Sequence, residues 1–513
     1  MYNNTFKLDL CNYTINENGV FDADGEILVS VPIIPVSKCL MKDNTQLIGI
    51  RKIYGENKVE VFVPLKNLED AKNLEILAKF GVVTLKSTVK PIANFLLNLV
   101  LTNLGRLQEL TFADKFGWYG DKFLPYEDEN FLLADELSGH PYFSEGDFYE
   151  WRKVVVRHRD NIIARMALAA SFASVLIKIV GAENLIMTIC GLSEDGKSVL
   201  MRLMASIWGD PNKGSGQIRS ALNTAFNSEV VNLRLGGLPL FLDETATRTL
   251  QDKTLATELM RLAEGVEKGR NTKLFGGSWA NTVVMTSEFP LVSSKSNLGL
   301  ANRILHLEAG KIFGSDDESK LVIRTVNKNF GHAGKMFIEA VKEIGFGAII
   351  ERYEVAIDML EDAFKTSGMT ISHKLLRQFA LLYLADTLAA EQVFDRNVDD
   401  GEAVGKIDVD DLLNFVSNYH APNPAEEFYQ KLRSVVQREL SRKNGRAFHS
   451  KKVPKGYCLL TKDALSQNLF DDFKRFAGAL KKMSAILQYR DTYWWPKTVD
   501  GVRLEALCVK ITD

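Results

Sequence analysis

Hydrophobic positions change their spacing several times along the chain, and the changes divide it into regions of different expected structure. Residues 13–64 alternate short apolar runs with turn residues, which predicts a small β-rich region. Residues 68–104 carry apolar side chains at three-to-four spacing, which predicts helix. We therefore expect an N-terminal domain, residues 1–125, that is β-rich with added helices.

The pattern changes again after residue 155. Short apolar runs now alternate with helical stretches, and this alternation predicts an α/β domain with a largely parallel sheet over residues 155–345. The apolar runs are Leu185–Cys190, Leu238–Leu242 and Val283–Met285, and the helical stretches are Arg157–Val180, Ser198–Trp208 and Thr254–Glu264. Residues 126–154 are expected to form an acidic linker, because eight acids and no Lys or Arg lie between Tyr126 and Glu150.

The C-terminal third is predicted to be mainly helical, then mixed. Residues 346–424 are interpreted as a helical region followed by an acidic linker. In residues 425–513, two helix-like runs, Lys462–Leu469 and Asp472–Met483, precede apolar runs at Ala485–Tyr489 and Leu504–Ile511. We place a turn at Asp500-Gly501 between these two apolar runs. Two helices followed by a β-hairpin outline a winged helix, whose second helix would carry four basic residues toward DNA: Lys474, Arg475, Lys481 and Lys482. The alternative is a basic interaction domain without groove contacts. Trp494-Trp495 could stack on bases, although packing in the core is favoured.

Charge separates the C-terminal domain from the rest. The 513 residues carry a net charge of −2, which argues against a chain that coats nucleic acid along its whole length. Residues 426–490, however, hold fifteen Lys and Arg against six Asp and Glu, a local charge of +9.

Five scattered cysteines indicate a reducing compartment. The strongly apolar stretch Met166–Ile177 is too short to cross a bilayer and is expected to be a buried helix. We expect a cytoplasmic protein.

The strongest chemical signal is a phosphate-binding loop. Residues 191–198, Gly-Leu-Ser-Glu-Asp-Gly-Lys-Ser, match G-x-x-x-x-G-K-[ST] between a predicted strand and a predicted helix. Backbone N–H groups and the helix N-terminus would hold phosphates, Lys197 would reach the β- and γ-phosphates, and Ser198 would bind Mg²⁺. The alternative is a chance glycine-rich turn. The predicted nucleotide-binding residues are Gly191, Ser193, Glu194, Asp195, Gly196, Lys197 and Ser198.

An apolar run that ends in two acids supplies the matching metal site. Leu238–Leu242 is followed by Asp243 and Glu244, and Asp243 lies 46 residues after Lys197. Asp243 would complete the magnesium site with Ser198, and Glu244 would polarise the attacking water. Taken alone, the two acids could equally be a helix N-cap after a strand.

Several segments together resemble one family. They are the P-loop, the Leu242-Asp243-Glu244 strand end, Trp279 before 281–288, Phe330-Gly331-His332-Ala333-Gly334-Lys335-Met336-Phe337, and Phe116-Gly117-Trp118. The first four follow one another in this order and Phe116-Gly117-Trp118 precedes them, and together they resemble the phage- and island-borne P-loop ATPases of the AAA+ type that are described as helicase-like. That family includes MCM-like replicative helicases of staphylococcal cassette elements and pathogenicity-island replication initiators. The resemblance spans roughly residues 110–345 and implies a hexameric ring that moves along DNA.

The resemblance adds two further site predictions. In AAA+ ATPases a polar residue at the end of the next strand contacts the γ-phosphate or water, and here it is Thr286 or Ser287. Arg303, seventeen residues after Thr286, stands where ring ATPases place an arginine finger that enters a neighbour's site. The alternative for Thr286 or Ser287 is an ordinary strand end, and the alternative for Arg303 is a surface arginine in a salt bridge. Arg324 is a weaker finger candidate.

A glycine-rich basic segment lies between the two motif strands. Residues 264–277 hold four glycines with three basic residues: Lys268, Arg270 and Lys273. Such a segment is typical of a hairpin or flexible loop. In MCM-like helicases a basic hairpin here points into the central channel, where these residues would pair with phosphates. The alternative is a solvated surface turn.

Together these patterns predict an α/β protein with an AAA+-type P-loop core, a β-rich N-terminal domain and a C-terminal winged-helix-like domain. The expected function is an ATP-dependent, replicative, MCM-like DNA helicase or translocase of a mobile element. Its cofactors would be ATP and Mg²⁺. Its partners would be single-stranded DNA in a central channel, duplex origin DNA at the C-terminal domain and further copies in a hexamer, with no membrane. Two alternatives stay open: an ATP-switched DNA-binding initiator without unwinding, and a small-molecule kinase, which the chain length and basic tail disfavour.

Overall fold

A computed structural model gives the fold, and it divides the chain into two compact units. The first comprises Met1–Phe143 with Leu233–Gly236, and the second comprises Ser144–Asn232 with Gly237–Asp513. The structure describes residues 8–54, 59–191, 196–214, 216–220, 225–243, 253–266, 277–287, 303–309, 312–369, 371–395, 404–418, 424–442, 445–465, 470, 473–474, 477–478, 480–481, 484–499 and 502–511.

The first unit is built on β-strands, as the short apolar runs predict. Three strands, β1 (Thr14–Asn16), β2 (Gly19–Phe21) and β3 (Ile27–Val29), form one antiparallel sheet. A second sheet has the order β10-β7-β4-β5-β6. Its strands are β4 (Ile33–Leu40), β5 (Gln46–Lys52), β6 (Glu60–Pro64), β7 (Gln108–Ala113) and β10 (Phe131–Leu133), and a hairpin joins β8 (Gly117–Tyr119) to β9 (Lys122–Leu124).

The stretch predicted to be helical between residues 68 and 104 is less continuous than its spacing suggests. The helices are α1 (Leu65–Glu69), a 3₁₀ turn at Glu75–Phe80 and α2 (Val89–Asn103), and further 3₁₀ turns lie at Asp128–Asn130 and Asp135–Leu137. Gly81 closes the 3₁₀ turn in a left-handed conformation, which separates it from α2. Apolar side chains of α2 and of the strands share one core.

The second unit contains the predicted α/β region, a five-stranded parallel sheet. Its order is β12-β13-β14-β11-β15. The strands are β11 (Leu185–Cys190), β12 (Ile218–Ser220), β13 (Leu240–Asp243), β14 (Thr282–Ser287) and β15 (Ile304–Glu308). β11, β13 and β14 are buried along their whole length, which is typical of a parallel sheet covered on both faces. The central strand is β14, and β11, which precedes the predicted P-loop, lies between β14 and β15.

Helices connect these strands and follow them. They are α3 (Phe148–His158), α4 (Ile162–Ala173), α5 (Ile177–Val180), α6 (Lys197–Ala205), α7 (Ala225–Leu235), α8 (Lys253–Glu264), α9 (Asp316–Val326) and α10 (His332–Ile344). Polar caps begin several of them: the side chain of Asn161, for example, accepts hydrogen bonds from the backbone N–H groups of Ile163 and Ala164. The apolar stretch Met166–Ile177 is buried as predicted, but the helix α4 ends at Ala173 and a turn separates it from α5.

A helical region follows, and a buried ion pair crosses it. Its elements are α11 (Phe346–Thr366), α12 (His373–Ala389), a π-helical turn at Ala390–Phe394 and α13 (Val409–Asn418). Nη2 of Arg159 lies 2.9 Å from Oδ1 of Asp386, and the two side chains are only 2% and 0% exposed. The Arg159 guanidinium also donates to the Gly405 carbonyl and lies over the Phe394 ring. Among the described helices, none combines the length and apolar character that crossing a bilayer requires.

The C-terminal region differs from the predicted two-strand wing. Its elements are α14 (Pro424–Leu440), β16 (Ala447–Phe448), β17 (Tyr457–Thr461), a 3₁₀ turn at Lys462–Ala464, β18 (Ile486–Leu487), β19 (Trp494–Val499) and β20 (Val502–Lys510). β19 pairs antiparallel with β20 from Trp494 opposite Leu507 to Val499 opposite Val502, so a strand that was not predicted precedes β20 in the chain. The short strand β18 instead pairs with the other end of β20. Trp494 and Trp495 lie in β19, half-buried against apolar clusters, which agrees with a packing role.

Candidate nucleotide site

The predicted P-loop lies between a buried strand and a helix, as its sequence requires. β11 ends at Cys190, Gly191 follows, and α6 begins at Lys197. Gly196 has φ +85°, and a Cβ added there would lie 2.5 Å from the Phe313 ring, so both backbone and space favour glycine. The predicted residues Ser193, Glu194 and Asp195 lie outside the described residues.

Lys197 and Ser198 occupy the first turn of α6. The Lys197 ammonium donates a hydrogen bond to the Gly191 carbonyl oxygen at 2.8 Å, which keeps this cation beside the loop. The Ser198 hydroxyl donates to Oδ1 of Asp243 at 3.2 Å. The two motifs, 46 residues apart in sequence, therefore meet at one carboxylate.

Asp243 is the buried centre of the site. It ends β13, is 2% exposed, and its Oδ1 accepts hydrogen bonds from both Ser198 and Thr286. Burial by itself raises the pKa of Asp243, but the hydrogen bonds from Lys213, Thr286 and Ser198 and the charge of Lys213 outweigh it and leave the pKa below its ordinary value. The carboxylate is thus charged at neutral pH.

The structure distinguishes Thr286 from Ser287. β14 lies between β13 and β11, and its last two residues face different neighbours. The Thr286 hydroxyl donates to Asp243, whereas the Ser287 hydroxyl lies 2.9 Å from the Cys190 sulfur. Of the two predicted residues, Thr286 is the one that contacts Asp243, the carboxylate predicted to bind the metal.

Sequence reasoning missed Lys213. Its ammonium lies 2.5 Å from Oδ2 of Asp243, the oxygen opposite the one that Ser198 and Thr286 contact. Lys213 belongs to the loop between α6 and β12, which carries no recognised motif. The available signal was indirect: a lysine shortly before the strand that pairs with β13.

Arg303 lies at the other edge of the sheet. It directly precedes β15, whereas Asp243 ends β13. Because the strands are parallel, the two residues lie at opposite ends of the strands, which are about 15–20 Å apart for strands of this length. Its guanidinium pairs with Glu183 at 3.5 Å and contacts the Met260 sulfur. Within one chain Arg303 therefore does not join the Asp243 cluster, and its role in a neighbour's site stays a prediction.

The remaining predicted residues fall into two groups. Those outside the described residues are Glu244, Lys268, Arg270, Lys273, Arg475 and Lys482. Lys474 and Lys481 are described and exposed, and the Lys474 ammonium lies 4.3 Å from the centre of the Phe470 ring.

The donor set fits a magnesium nucleotide. Mg²⁺ prefers oxygen ligands and usually binds through one or two carboxylates together with substrate phosphates. Ser198 and Asp243 offer one hydroxyl and one carboxylate beside the N-terminus of α6, where phosphate is favoured. In the described part of the chain, no cluster of three His, Cys, Asp or Glu side chains offers an all-protein metal cage.

Comparisons with known proteins show what the chain is similar to in fold and family. A solved structure titled "SCCmec type IV Cch - active helicase" is similar over 98% of both chains, with a TM-score of 0.62 and 17% identity, which shows a shared fold. The resemblance drawn from the motifs is thus confirmed. A second, "The A form apo structure of NrS-1 C terminal region-CTR", covers 92% of this chain and 96% of its own at 10% identity, with a TM-score of only 0.29. No curated protein sequence matches. Residues 14–275 match the family "Domain of unknown function (DUF927)". The matched residues make up half of the chain, and the protein belongs to the DUF927 family.

Proposed function

We propose that this chain is a magnesium-dependent ATPase with an AAA+-type core that drives movement along DNA and separation of its strands. One observation carries the ATPase proposal: hydroxyls from two different elements, Ser198 and Thr286, converge on the buried carboxylate of Asp243 beside Lys197. This convergence lies at the carboxyl ends of parallel strands, where open α/β sheets bind their ligands.

Each residue then has a role set by its position. The N-terminus of α6 and Lys197 attract the phosphates, and Ser198 and Asp243 hold Mg²⁺ through oxygen. When bound, Mg²⁺ neutralises charge that develops on the phosphates. Thr286 fixes the orientation of the Asp243 carboxylate. Glu244, next in sequence, polarises the attacking water.

The extension from ATPase to helicase rests on the similar structure. Its title names an active helicase, and the likeness runs over 98% of both chains, so it includes the C-terminal region as well as the nucleotide site. We propose a hexameric ring in which Arg303 completes the neighbour's site. Lys268, Arg270 and Lys273 contact single-stranded DNA in the channel, and the winged-helix-like C-terminal domain presents Lys474, Arg475, Lys481 and Lys482 to duplex DNA.

The test measures DNA-stimulated ATP hydrolysis and strand separation by the wild-type protein and by Lys197→Ala and Glu244→Gln variants. Both activities are expected to disappear in the two variants and to survive in Lys320→Ala, which removes an exposed lysine whose partner is Asp317. Strand separation that persists in both site variants would refute the mechanism.

A mixing experiment tests the ring. Arg303→Ala and Lys197→Ala variants are each expected to be inactive, but mixed rings regain activity where an intact Lys197 site meets an intact Arg303 from its neighbour. Native mass measurement with ATP and single-stranded DNA should show a hexamer. A monomer under all conditions, or no recovery on mixing, would remove the proposed role of Arg303.

The charge of the C-terminal region favours a second candidate, an initiator in which ATP controls assembly on DNA without unwinding. Residues 426–490 carry +9, enough to bind duplex DNA through its phosphates. Sequence-specific duplex binding and ATP-dependent assembly, without strand separation by the assembled ring, would favour this candidate over the helicase.

A further inference from the structure

Lys213 places a cation on the oxygen of Asp243 that Ser198 and Thr286 do not use. Its ammonium is 2.5 Å from Oδ2, while both hydroxyls bond to Oδ1. The Asp243 side chain is 3% exposed, whereas that of Lys213 is 43% exposed. The pair therefore joins a buried anion to a cation that reaches it from the solvent side.

The loop that presents Lys213 is held in place on both sides. The backbone N–H of Gln217 donates to the Asp210 carbonyl at 3.0 Å, and its side-chain amide donates to the Ala205 carbonyl at the end of α6. Asn212 is bonded to the Asp210 carboxylate through both its backbone and its side chain. A Cβ at Gly216 would lie 2.5 Å from backbone oxygens, so the loop is also tightly closed. The backbone that carries Lys213 is thus held by hydrogen bonds, while its side chain reaches Asp243 from a position that is 43% exposed.

A buried carboxylate without a cation is costly, because its charge is removed from water without compensation. Lys213 supplies that compensation. A divalent cation bound by Ser198 and Asp243 would supply it instead, and two cations on one carboxylate repel each other. The two cations therefore compete for Asp243.

We propose that Lys213 is a displaceable counter-ion of Asp243, an inference that rests on the proposed nucleotide site. It keeps the carboxylate charged and oriented before metal binds, and it leaves Oδ2 when Mg²⁺ arrives. Lys213 is in this sense a positioning residue that sets the Mg²⁺ concentration at which the site loads.

The test is a Mg²⁺ titration of the full-length protein, followed by equilibrium binding of a fluorescent ATP analogue. In Lys213→Met the half-saturating Mg²⁺ concentration is expected to fall about five- to tenfold, which corresponds to removal of one competing ion pair. Lys213→Arg keeps the charge and should stay within about twofold of wild type. Lys320→Met, which removes another lysine paired with an aspartate, should change nothing.

Two further measurements separate competition from other roles. Without Mg²⁺, Lys213→Met should have a lower thermal midpoint than wild type. Mg²⁺ added without nucleotide should raise the thermal midpoint of both proteins, and Lys213→Met should respond at the lower Mg²⁺ concentration. This metal-only shift does not depend on nucleotide binding, so it distinguishes failure of this inference from failure of the ATPase proposal. An unchanged or higher Mg²⁺ requirement in Lys213→Met would overturn the inference. Equal loss of nucleotide affinity with and without Mg²⁺ would also overturn it, because Lys213 would then be a phosphate ligand.

Discussion

Gly196→Ala is expected to damage the nucleotide site through one added methyl group. Gly196 is the last residue before α6, and its φ of +85° is a conformation that alanine rarely adopts. The methyl carbon would lie 2.5 Å from one atom of the Phe313 ring and 2.9 Å from another. Phe313 has little room to retreat, because it is 6% exposed and its ring packs against the edge of His158.

The cost can be worked from these two effects. A left-handed conformation costs alanine about 1–2 kcal/mol relative to glycine. Overpacking in a closed site adds about 1–3 kcal/mol. The total, about 2–5 kcal/mol, is avoided only if Gly196 and the adjacent Lys197 and Ser198 leave the observed geometry. A loss of 2 kcal/mol already corresponds to about 30-fold in affinity, so we expect ATP binding to weaken by at least that factor.

Gly181→Ala is the matched control. Gly181 ends α5 with φ +65°, but no atom lies within 4 Å of the added methyl group, so the variant tests backbone strain alone. Fluorescent ATP binding should stay within about twofold of wild type, while the thermal midpoint falls by about 2–4 °C. Phe313→Leu introduced into Gly196→Ala should recover part of the lost affinity. ATP affinity of Gly196→Ala equal to that of Gly181→Ala would refute the reasoning.

Three other substitutions test separate parts of the second unit. Asp386→Asn should lower the free energy of unfolding by about 3–5 kcal/mol in urea titrations, because it leaves Arg159 buried without its partner; the double change Arg159→Met with Asp386→Leu should cost less than the single one. Burial lowers the pKa of His306 from 6.5 to about 4, so between pH 4 and 6.5 the unfolded chain binds more protons than the folded one, and stability rises with pH. His306→Gln should reduce the slope of the thermal midpoint against pH in this range, and an unchanged slope would contradict the assignment. Thr286→Val should reduce ATP turnover about tenfold with little change in ATP affinity, and a larger effect of Ser287→Ala would reverse their assignment.

Sequence patterns were sufficient to predict the centre of the candidate site. A strand that enters the P-loop and a strand that ends in Asp243 must bring their carboxyl ends to one edge of a parallel sheet. The contact between Ser198 and Asp243 follows from that rule alone. Which of Thr286 and Ser287 faces Asp243 depends on the orientation of β14 between its two neighbours, and residue types carry no information about that.

Lys213 and the C-terminal hairpin show where local patterns are insufficient. Lys213 reaches Asp243 from a loop whose shape depends on Gly216 and on the hydrogen bonds of Gln217, and neither belongs to a motif. In the C-terminal region the aromatic run at Trp494 is expected to pack in the core, and no strand is predicted for it. It is the strand β19 itself, and its pairing with β20 moves the hairpin by one strand.

The strand order has a practical consequence for recombinant fragments. The family match ends at residue 275, before β14 begins at Thr282. In the folded sheet β14 pairs with both β11 and β13. A protein truncated at the family boundary would keep the predicted P-loop and Asp243. It would leave the apolar strands β11 and β13 without β14, and their unpaired backbone groups would promote aggregation. Expression of the parallel-sheet region therefore calls for a C-terminal limit beyond β15 and also beyond α12, because Asp386 of α12 is the buried partner of Arg159.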